Sequence, residues 1–399
     1  MIWRGEQGIA LVITLLVMTL LLVMGSAFMS ISSTETLIAI NERNRMQAFH
    51  LAEAGADRAI AELGADENYP GIGETGLGPG TYRIDVCPPT CAGPPPGSPD
   101  QRLITATGCV RDCATFSRAM AQVEVLAQRS SPFRWAAGAL SLVEITDRVV
   151  VDSYDSAQGP YGGPNVGAEA TIGSNGNITL GADATVNGDA HAGGSVTIGV
   201  GSNITGGYTE GTPKVNVEAD PAYPACSPIV GGVDPPGAYN GATCDLTVGA
   251  GGTVTLDPGT YAFNEITIGE GANLDMTGPV VIYMTGNFSA QSGAKINASA
   301  ASTRNPTKLL ILSSAAGENA IKFYWGALGG GEFYGAIYAL DAEVEFERGG
   351  WEVYGAIVAN EVDLEDDARF HYDLALAQQA TPADKFRPIA GSWREVFAP

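Results

Sequence analysis

The sequence has 399 residues, of which 45% are hydrophobic and 16% are charged, and its formal net charge is −23. This acidic balance excludes nucleic acid as a partner, because no basic surface remains to replace the counterions of phosphates. The 52 glycines and 23 prolines favour many short strands and turns, or a repeat solenoid, over a helical bundle.

An apolar segment near the N-terminus is the first predicted element. Residues 9–29 form 21 positions without a charge, which is long enough for a helix to cross a bilayer. Arg4 and the initiator amine precede this segment, so the positive-inside rule keeps the start in the cytoplasm and exports the rest of the chain. We therefore predict a single-pass anchor in a bacterial inner membrane.

Helical periodicity continues beyond the apolar segment. Apolar residues recur at steps of three and four, which is typical of an amphipathic helix. The residues that set this pattern are Phe49, Ala52, Ala56 and Ile60. Gly64 supplies a stop signal, so the sequence predicts one helix over residues 9–64. A discarded secretion signal is disfavoured, because its apolar core would be shorter and no such helix would follow it.

Two stretches of this helix resemble the type IV pilin and pseudopilin superfamily. They are GEQGIALVITLL at residues 5–16 and RMQAFHLAEAGADRAIAEL at residues 45–63, and the resemblance is closest to the PilX-type minor pilin-like assembly proteins. It implies that residues 1–8 are a prepilin leader, cut between Gly8 and Ile9. It also implies a retained helix that anchors the precursor and then packs with similar helices in a filament. The residues implied in this role are Ile9, Leu11, Ile13, Leu16, Phe49, Ala52, Ala56 and Ile60.

The sequence departs from the major-pilin pattern at Ile13. Major pilins have glutamate at this fifth mature position, and in that family its carboxylate pairs with the N-terminal amine of a neighbouring subunit. Such a pair is valuable in lipid, because unpaired charges there are costly. A chain without it is a poor repeating subunit, which fits a subunit present in few copies at the tip. An uncleaved membrane anchor is the alternative.

Residues 65–130 predict a small β head. Strands are indicated at residues 80–91, 102–113 and 117–128 by alternating apolar side chains. A proline-rich loop at residues 92–100 separates the first two, because proline cannot continue a strand. We expect this meander to pack against the amphipathic half of the helix.

The six cysteines predict disulfides. They are Cys87, Cys91, Cys109, Cys113, Cys226 and Cys244, and an even number in an oxidising compartment favours disulfides. The first four form two C-x3-C pairs, a spacing less typical of zinc than C-x2-C. If the strands that end at Cys87 and Cys109 are neighbours, bonds between the two pairs would staple the turns, but the sequence does not fix the pairing. Cys226 and Cys244 flank a Pro/Gly-rich excursion, which a disulfide would close as a loop.

Residues 131–399 predict a parallel β-helix-like solenoid. YGAI at residues 334–337 returns at 354–357, a step of twenty, and NITLG at 177–181 returns as SVTIG at 195–199, a step of eighteen. Short strands with glycine turns at such a period suit stacked coils that share one core. A β-sandwich is the alternative, although its hairpins would show more two-residue turns. The predicted fold class is mainly β with one long N-terminal α-helix, a disulfide-stapled β meander and this solenoid.

Two segments of this region resemble the C-terminal domain often joined to PilX-type starts. They are VVVDSYDSAQGPYGG at residues 149–163 and FRPIAGSWREV at residues 386–396. The resemblance suggests that the second segment closes the domain. We expect Trp393 to cap the open core of the last coil, as the end of a solenoid requires.

The sequence contains no nucleophile–base motif, zinc-protease motif or phosphate loop, and we predict no enzyme activity, no cofactor and no metal. GIGETG at residues 71–76 fits the dinucleotide pattern, but it follows a helix and opens none, so we interpret it as a chance match. Acidic residues alternate with apolar ones at 343–347 and 361–367. A solvated face is the simplest interpretation of these acids, and calcium binding, carbohydrate binding and glycoside hydrolysis are the alternatives. The aromatic run at 323–325 is predicted to be core, with a sugar platform as the alternative.

Together these observations predict a minor pilin-like subunit for type IV pilus assembly, with an adhesive role at the tip. Its partners would be other pilin or pseudopilin subunits through the helix, the inner membrane before assembly, and a surface carbohydrate or host ligand. It would reside in the inner membrane and then in the extracellular pilus or the periplasm. The alternatives are a pseudopilin of a type II secretion system and a membrane-tethered β-helix protein that binds or degrades polysaccharide.

Overall fold

The computed structural model describes residues 6–66, 68–89, 91, 101–113, 119–212, 223–224, 232–300, 304–379 and 385–396. The chain divides into two compact units. The head unit contains residues 1–130 and 385–399, and the repeat unit contains residues 131–384.

A single long helix, α1, begins the described chain and spans Glu6–Ala65. At 1.5 Å per residue it is about 90 Å long. It contains no proline and is rich in leucine, alanine and glutamate, which are strong helix formers. The predicted long helix is confirmed; α1 begins three residues before Ile9 and ends one residue beyond Gly64.

The head unit contains an antiparallel sheet. Its first four strands, paired in chain order, are β1 (Gly71–Leu77), β2 (Gly80–Cys87), β3 (Gln101–Val110) and β4 (Met120–Ser130). The three strands predicted from the sequence correspond to β2, β3 and β4. The stretch interpreted as a chance dinucleotide pattern is β1, whose three glycines and sparse apolar residues give no alternation.

The second half of α1 packs on this sheet through small residues. Ala52 and Ala56 have no exposed surface. Gly108 of β3 is required at the contact, because a Cβ atom there would overlap backbone atoms of Ala48 and Ala52. The sheet therefore packs on the amphipathic half of the helix, as expected, at a distance that a larger side chain would disrupt.

Each C-x3-C pair forms its own disulfide, Cys87–Cys91 and Cys109–Cys113. In the β2–β3 register Cys109 lies opposite Thr81, six residues from Cys87. The two pairs are therefore about 20 Å apart along the strands. Bonds between the pairs are excluded by this separation, although β2 and β3 are neighbours. Cys244 is also disulfide-bonded, while Cys226 lies outside the described residues.

The described part of the repeat unit contains 24 strands linked in one pairing network. In chain order they are β5 (Ala137–Ile145), β6 (Val150–Tyr154), β7 (Ile172–Ser174), β8 (Asn177–Leu180), β9 (Thr185–Val186), β10 (Asp189–Ala192), β11 (Val196–Ile198), β12 (Asn203–Ile204), β13 (Gly207–Thr209), β14 (Val233–Asp234), β15 (Tyr239–Asn240), β16 (Asp245–Val248), β17 (Thr253–Leu256), β18 (Gly259–Phe263), β19 (Ile266–Ile268), β20 (Asn273–Met276), β21 (Val280–Met284), β22 (Phe288–Ala290), β23 (Lys295–Ile296), β24 (Leu309–Ser313), β25 (Gly317–Phe323), β26 (Glu332–Phe346), β27 (Glu352–Leu364) and β28 (Arg369–Asp373).

Strand pairing in the repeat unit follows the sequence repeat. Tyr334 pairs in parallel with Tyr354, at the step of twenty seen in the sequence. Ile178 pairs in parallel with Val196, at the step of eighteen. Parallel pairing at such offsets places each strand beside the strand one repeat away, and the buried apolar side chains of these strands share one core.

The order in which the strands pair differs from their order in the chain. β5 pairs with β27 on one side and with β8 on the other, and β6 pairs with β28 and β9 in the same way. The first two strands of the repeat unit therefore lie between its last two strands and the strands that follow β7. One continuous core runs through the repeat unit, where the rings of Phe323 and Phe346 stack at 4.0 Å.

The last two strands belong to the head unit. β29 (Lys385–Pro388) and β30 (Arg394–Val396) both pair antiparallel with β4. Trp393 packs against the head core, as Ile60 of α1 does. The expectation that Trp393 caps the last coil is therefore wrong, because the apolar residues of this segment complete the head core instead. The repeat unit ends before residue 385 rather than at residue 399.

Candidate functional site

The first half of α1 is an uncovered apolar surface. Every residue from Leu11 to Arg43 is exposed. The most apolar window of the helix has a mean hydropathy of 2.5 and none of it is buried. A contiguous apolar patch of this size marks a membrane or protein contact, and the length and composition of the helix are sufficient to cross a membrane.

Several hydroxyl groups within this surface donate hydrogen bonds to carbonyl oxygens of the same helix. The Thr14 hydroxyl donates to the Leu11 carbonyl oxygen at 2.9 Å, and the Ser26 hydroxyl donates to the Val23 carbonyl oxygen at 2.8 Å. A hydroxyl that bonds to the preceding turn needs no water. The surface is therefore suited to lipid or to a second apolar helix.

The residues predicted for filament packing fall into two groups. Leu11, Ile13 and Leu16 are 68%, 56% and 62% exposed, so they are available to another helix. The members of the second group are buried or half-buried within the head unit; they are Phe49, Ala52, Ala56 and Ile60. The second group therefore contributes to the packing of the head unit, and its contact with another subunit stays a prediction. The side chains of Gly8 and Ile9 lie outside the described residues, and the cleavage between them stays a prediction.

A pocket in the repeat unit, which we call the tyrosine pocket, is a second candidate site. It has a volume of about 550 Å³, and its walls include Tyr154, Tyr161, Tyr334, Tyr354, Arg304 and Lys308. The parallel register places Tyr334 beside Tyr354, with their rings stacked at 4.1 Å. Tyr161 arrives on the loop after β6, with its ring 5.6 Å from that of Tyr354. This site is not among those predicted from the sequence. The tyrosine that begins each YGAI copy is the feature of the sequence that indicates it.

Hydrogen bonds fix the loop that carries Tyr161. The Asn165 amide group donates to the carbonyl oxygens of Asp155 and Gly159, each at 3.0 Å. The backbone amide of Ser156 donates to Asp373 Oδ1 at 2.9 Å. Hydrogen bonds within the chain therefore hold this wall of the tyrosine pocket in place.

A buried histidine lies behind the tyrosine pocket between two carboxylates. His371 is 2% exposed, and its Nδ1 and Nε2 atoms lie 2.6 Å from Asp152 Oδ1 and 3.0 Å from Glu352 Oε2. Burial opposes protonation of this ring, but the hydrogen bonds to Asp152 and Glu352 outweigh it, so the pKa of His371 is raised. A protonated ring donates to both carboxylates, whereas a neutral ring donates to one. The Tyr161 hydroxyl donates to Asp152 Oδ2 at 2.7 Å, which couples this cluster to the pocket wall.

The tyrosine hydroxyls of the pocket remain protonated near neutral pH. Burial raises the pKa of Tyr154, Tyr161 and Tyr334, and burial together with Glu352 raises the pKa of Tyr354 to about 12. Each hydroxyl can therefore donate as well as accept a hydrogen bond. Tyr154 is 3% exposed, and its hydroxyl has no hydrogen-bond partner within the described chain.

The acidic face predicted from the sequence forms a row across neighbouring strands. Lys322, Glu345, Asp363 and Glu144 occupy one register position on β25, β26, β27 and β5. Lys322 Nζ lies 2.8 Å from a carboxylate oxygen of Glu345, whose side chain is only 12% exposed. Burial, followed by the charge of Glu144, raises the pKa of Asp363 to about 8. The row is thus partly buried rather than fully solvated.

Two acids of this row and Glu365, which follows β27, form a group at metal-ligand spacing. Carboxylate oxygens of Glu345, Asp363 and Glu365 lie within 4.8 Å of one another. The ammonium of Lys322 already stands beside Glu345 and compensates part of this charge. Of the three acids in this group, Glu345 is therefore the one that an ion pair stabilises.

The aromatic run at residues 323–325 divides between core and surface. Phe323 is fully buried, as predicted, but Trp325 is 55% exposed. The ring of Tyr324 lies 5.3 Å from Lys322 Nζ, an arrangement in which the ring stabilises the cation.

The segment that contains the exposed helix matches a known protein family. Residues 7–57 match the family model described as PilX N-terminal. The chain has a PilX-type N-terminal segment. The resemblance drawn from residues 5–16 and 45–63 is confirmed, and the PilX-type segment supports a type IV pilin-like role with contacts to other pilin subunits. Its apolar helix fits a membrane or pilus location.

The PilX-type segment is followed by a region that matches a second family. Residues 276–379 match a domain of unknown function (DUF7305), and this range includes Arg304, Tyr334 and Tyr354 of the tyrosine pocket. Among solved structures, the competence-associated pilin ComZ from Thermus thermophilus matches with 13% identity and a TM-score of 0.36, covering 88% of this chain and 98% of that chain. No curated protein matches the sequence.

Proposed function

We propose that this chain is a minor pilin-like subunit of a type IV pilus, anchored by α1 in the inner membrane before assembly and present in few copies at the pilus tip. The observation that carries the proposal is the exposed apolar half of α1 inside a segment that matches the PilX N-terminal family. Such a surface is stable only in lipid or against similar helices.

The position of Ile13 supports a low copy number. Its side chain is 56% exposed on the apolar surface and carries no charge. A subunit in the middle of a filament needs a partner for the N-terminal amine of its neighbour, because an isolated charge in an apolar core is costly. A subunit with isoleucine here offers none, and the tip position requires none.

The repeat unit is the part that we propose the pilus displays. Its parallel pairing at steps of eighteen and twenty residues supports a β-helix-like solenoid, which presents an extended surface. We propose a binding role for this surface, with adhesion as its outcome, rather than catalysis.

Leader processing tests the first part of the proposal. Mass spectrometry of the protein recovered from sheared pili should show a chain that begins at Ile9. Gly8→Ala should abolish cleavage and incorporation, while the matched control Gly5→Ala, in the same leader, should leave both intact. Consistent absence from sheared pili, or a mature chain that begins near Phe28, would contradict the proposal.

Ile13→Glu tests the copy-number argument. A carboxylate at this position should increase the amount of the protein per filament, because internal positions become tolerable. Leu16→Glu is the control, since it places the same charge on the same exposed surface three residues away. An equal effect of both variants would contradict the role assigned to Ile13.

A further inference from the structure

The described lining of the tyrosine pocket is basic, whereas the chain as a whole is acidic. Of the described residues that line it, two are basic and none carries a carboxylate, although the chain as a whole has a net charge of −23. A volume of about 550 Å³ lies within the range of sites that enclose small molecules. The lining of the pocket therefore differs in charge from the chain as a whole and suits an anionic ligand.

Arg304 is held in place at the edge of the pocket. Its Nη2 atom lies 3.1 Å from Glu332 Oε2, and its Nε donates to the Ala298 carbonyl oxygen at 3.2 Å. These contacts fix the plane of the guanidinium, and a fixed guanidinium recognises a carboxylate with little loss of side-chain freedom. The Nη1 group has no partner among the described residues, so its donors remain for a ligand.

A second and independent observation is the orphaned hydroxyl of Tyr154. The side chain is 97% buried, lines the pocket and lacks a hydrogen-bond partner in the described chain. An unsatisfied buried hydroxyl costs stability, and its retention beside a cavity is explained when a ligand supplies the missing partner.

We propose that the tyrosine pocket binds a saccharide that carries a carboxylate group. The half-buried rings of Tyr161 and Tyr354 line the pocket, and such an aromatic wall suits the C–H surface of a sugar ring. The tyrosine hydroxyls meet sugar hydroxyls as donors and acceptors. Arg304 pairs with the carboxylate. Basic residues disfavour a cationic ligand, and the polar groups disfavour a purely apolar one.

The inference rests on the binding role proposed for the repeat unit and names its ligand class. Its test does not depend on incorporation into a pilus, because binding is measured on the purified full chain. Isothermal titration calorimetry of the protein in detergent micelles would use trigalacturonate as the probe and trigalactoside as its neutral counterpart. We expect trigalacturonate to bind with a Kd of about 1 mM or tighter. The neutral sugar should bind about tenfold more weakly, which is the effect of one charge-assisted contact.

Two variants locate the binding. Arg304→Gln should weaken trigalacturonate binding about tenfold, and Tyr154→Phe should weaken it about threefold without lowering the melting temperature. Arg148→Gln is the matched control, because Arg148 forms a similar exposed ion pair with Asp367 at 2.8 Å elsewhere on the repeat unit. Tyr208→Phe is the control for the tyrosine, since Tyr208 is 51% exposed and lies outside the pocket lining.

The outcomes separate the parts of the proposal. Loss of affinity in Arg304→Gln and Tyr154→Phe, with normal affinity in both controls, supports the site and its ligand class. Equal binding of the neutral and acidic sugars overturns the assignment of an acidic ligand. Absence of binding to either sugar, or binding that the pocket variants leave unchanged, overturns the site itself. Circular dichroism of each variant confirms that the compared proteins are folded.

Discussion

Asp363 and Glu144 stand directly opposite each other on adjacent parallel strands, so that two carboxyl groups share one register position. Parallel in-register pairing places residues of the same type side by side on neighbouring strands. Where these residues carry the same charge, the pairing is unfavourable. The row contains one cation, Lys322, and it contacts Glu345 rather than Asp363. The pKa of Asp363 rises to about 8 as a result of burial and these neighbouring acids.

Asp363→Asn should make the protein more stable at alkaline pH. Because the carboxyl has a raised pKa in the folded state, the folded chain holds this proton more tightly than the unfolded chain, whose pKa is about 3.9. Stability therefore falls between about pH 4 and pH 8 as the group ionises. After a discount for partial exposure, the variant should gain roughly 1–3 kcal/mol at pH 8.5.

Urea unfolding at several pH values measures this effect. Asp341→Asn is the control, because Asp341 is exposed on the same strand as Glu345. The control should retain the wild-type slope of stability against pH. An unchanged slope in Asp363→Asn would show that the carboxyl titrates normally.

His371→Gln should destabilise the repeat unit most strongly at acidic pH. The pKa of His371 is raised in the folded protein because hydrogen bonds to Asp152 and Glu352 outweigh burial. The stability from this ring is therefore complete below its ordinary pKa of about 6.5 and is lost as pH rises through the raised value. Removal of one member of a buried ion pair costs about 3 kcal/mol, so a loss near that size is expected at pH 6.

The control for this variant is His191→Gln. His191 Nδ1 contacts the Thr209 hydroxyl at 2.6 Å in an exposed setting, so its replacement should change stability by less than about 0.5 kcal/mol. Urea titrations at pH 6 and pH 9 compare the two variants. Equal losses for His371→Gln at both pH values would contradict a charged ring between the carboxylates.

Gly108→Ala should destabilise the head unit. Its Cβ atom would overlap backbone atoms of Ala48 and Ala52 on α1, and a helix backbone moves away only with loss of packing. A cost of roughly 1–3 kcal/mol is expected. Gly73→Ala of β1 is the matched control, since a Cβ there meets no atom within 4 Å. Thermal unfolding measures both, and similar melting temperatures would argue against the close helix–sheet contact.

Much of the local structure could be predicted because its signals are local. The charge-free run and the three-to-four-residue period specify α1, and the YGAI repeat specifies the pairing of Tyr334 with Tyr354. The disulfide pattern could not be predicted, because it depends on how far Cys87 lies from Cys109 along two paired strands. That distance is set by the register, which the cysteine spacing does not encode.

The order of strand pairing in the repeat unit and the tyrosine pocket could not be predicted either, because both depend on contacts between residues far apart in the sequence. Strands with similar apolar faces can pair in any order, so nothing in residues 137–145 identifies β27 as the neighbour of β5. The pocket joins Tyr161, Arg304 and Tyr354 from distant strands and loops. The sequence around each of these residues gives no sign that the strand pairing places them in one pocket.

Trp393→Ala should destabilise the head unit and leave the repeat unit unchanged. Trp393 packs against the head core between β29 and β30, which both pair with β4. Truncation of a half-buried aromatic side chain should cost roughly 1–3 kcal/mol. Hydrogen exchange should therefore speed up in β3 and β4 and remain unchanged in β27 and β28. Trp325→Ala, at a side chain 55% exposed on the repeat unit, should alter neither region. Faster exchange in β28 instead would contradict this prediction and would indicate that Trp393 caps the repeat unit.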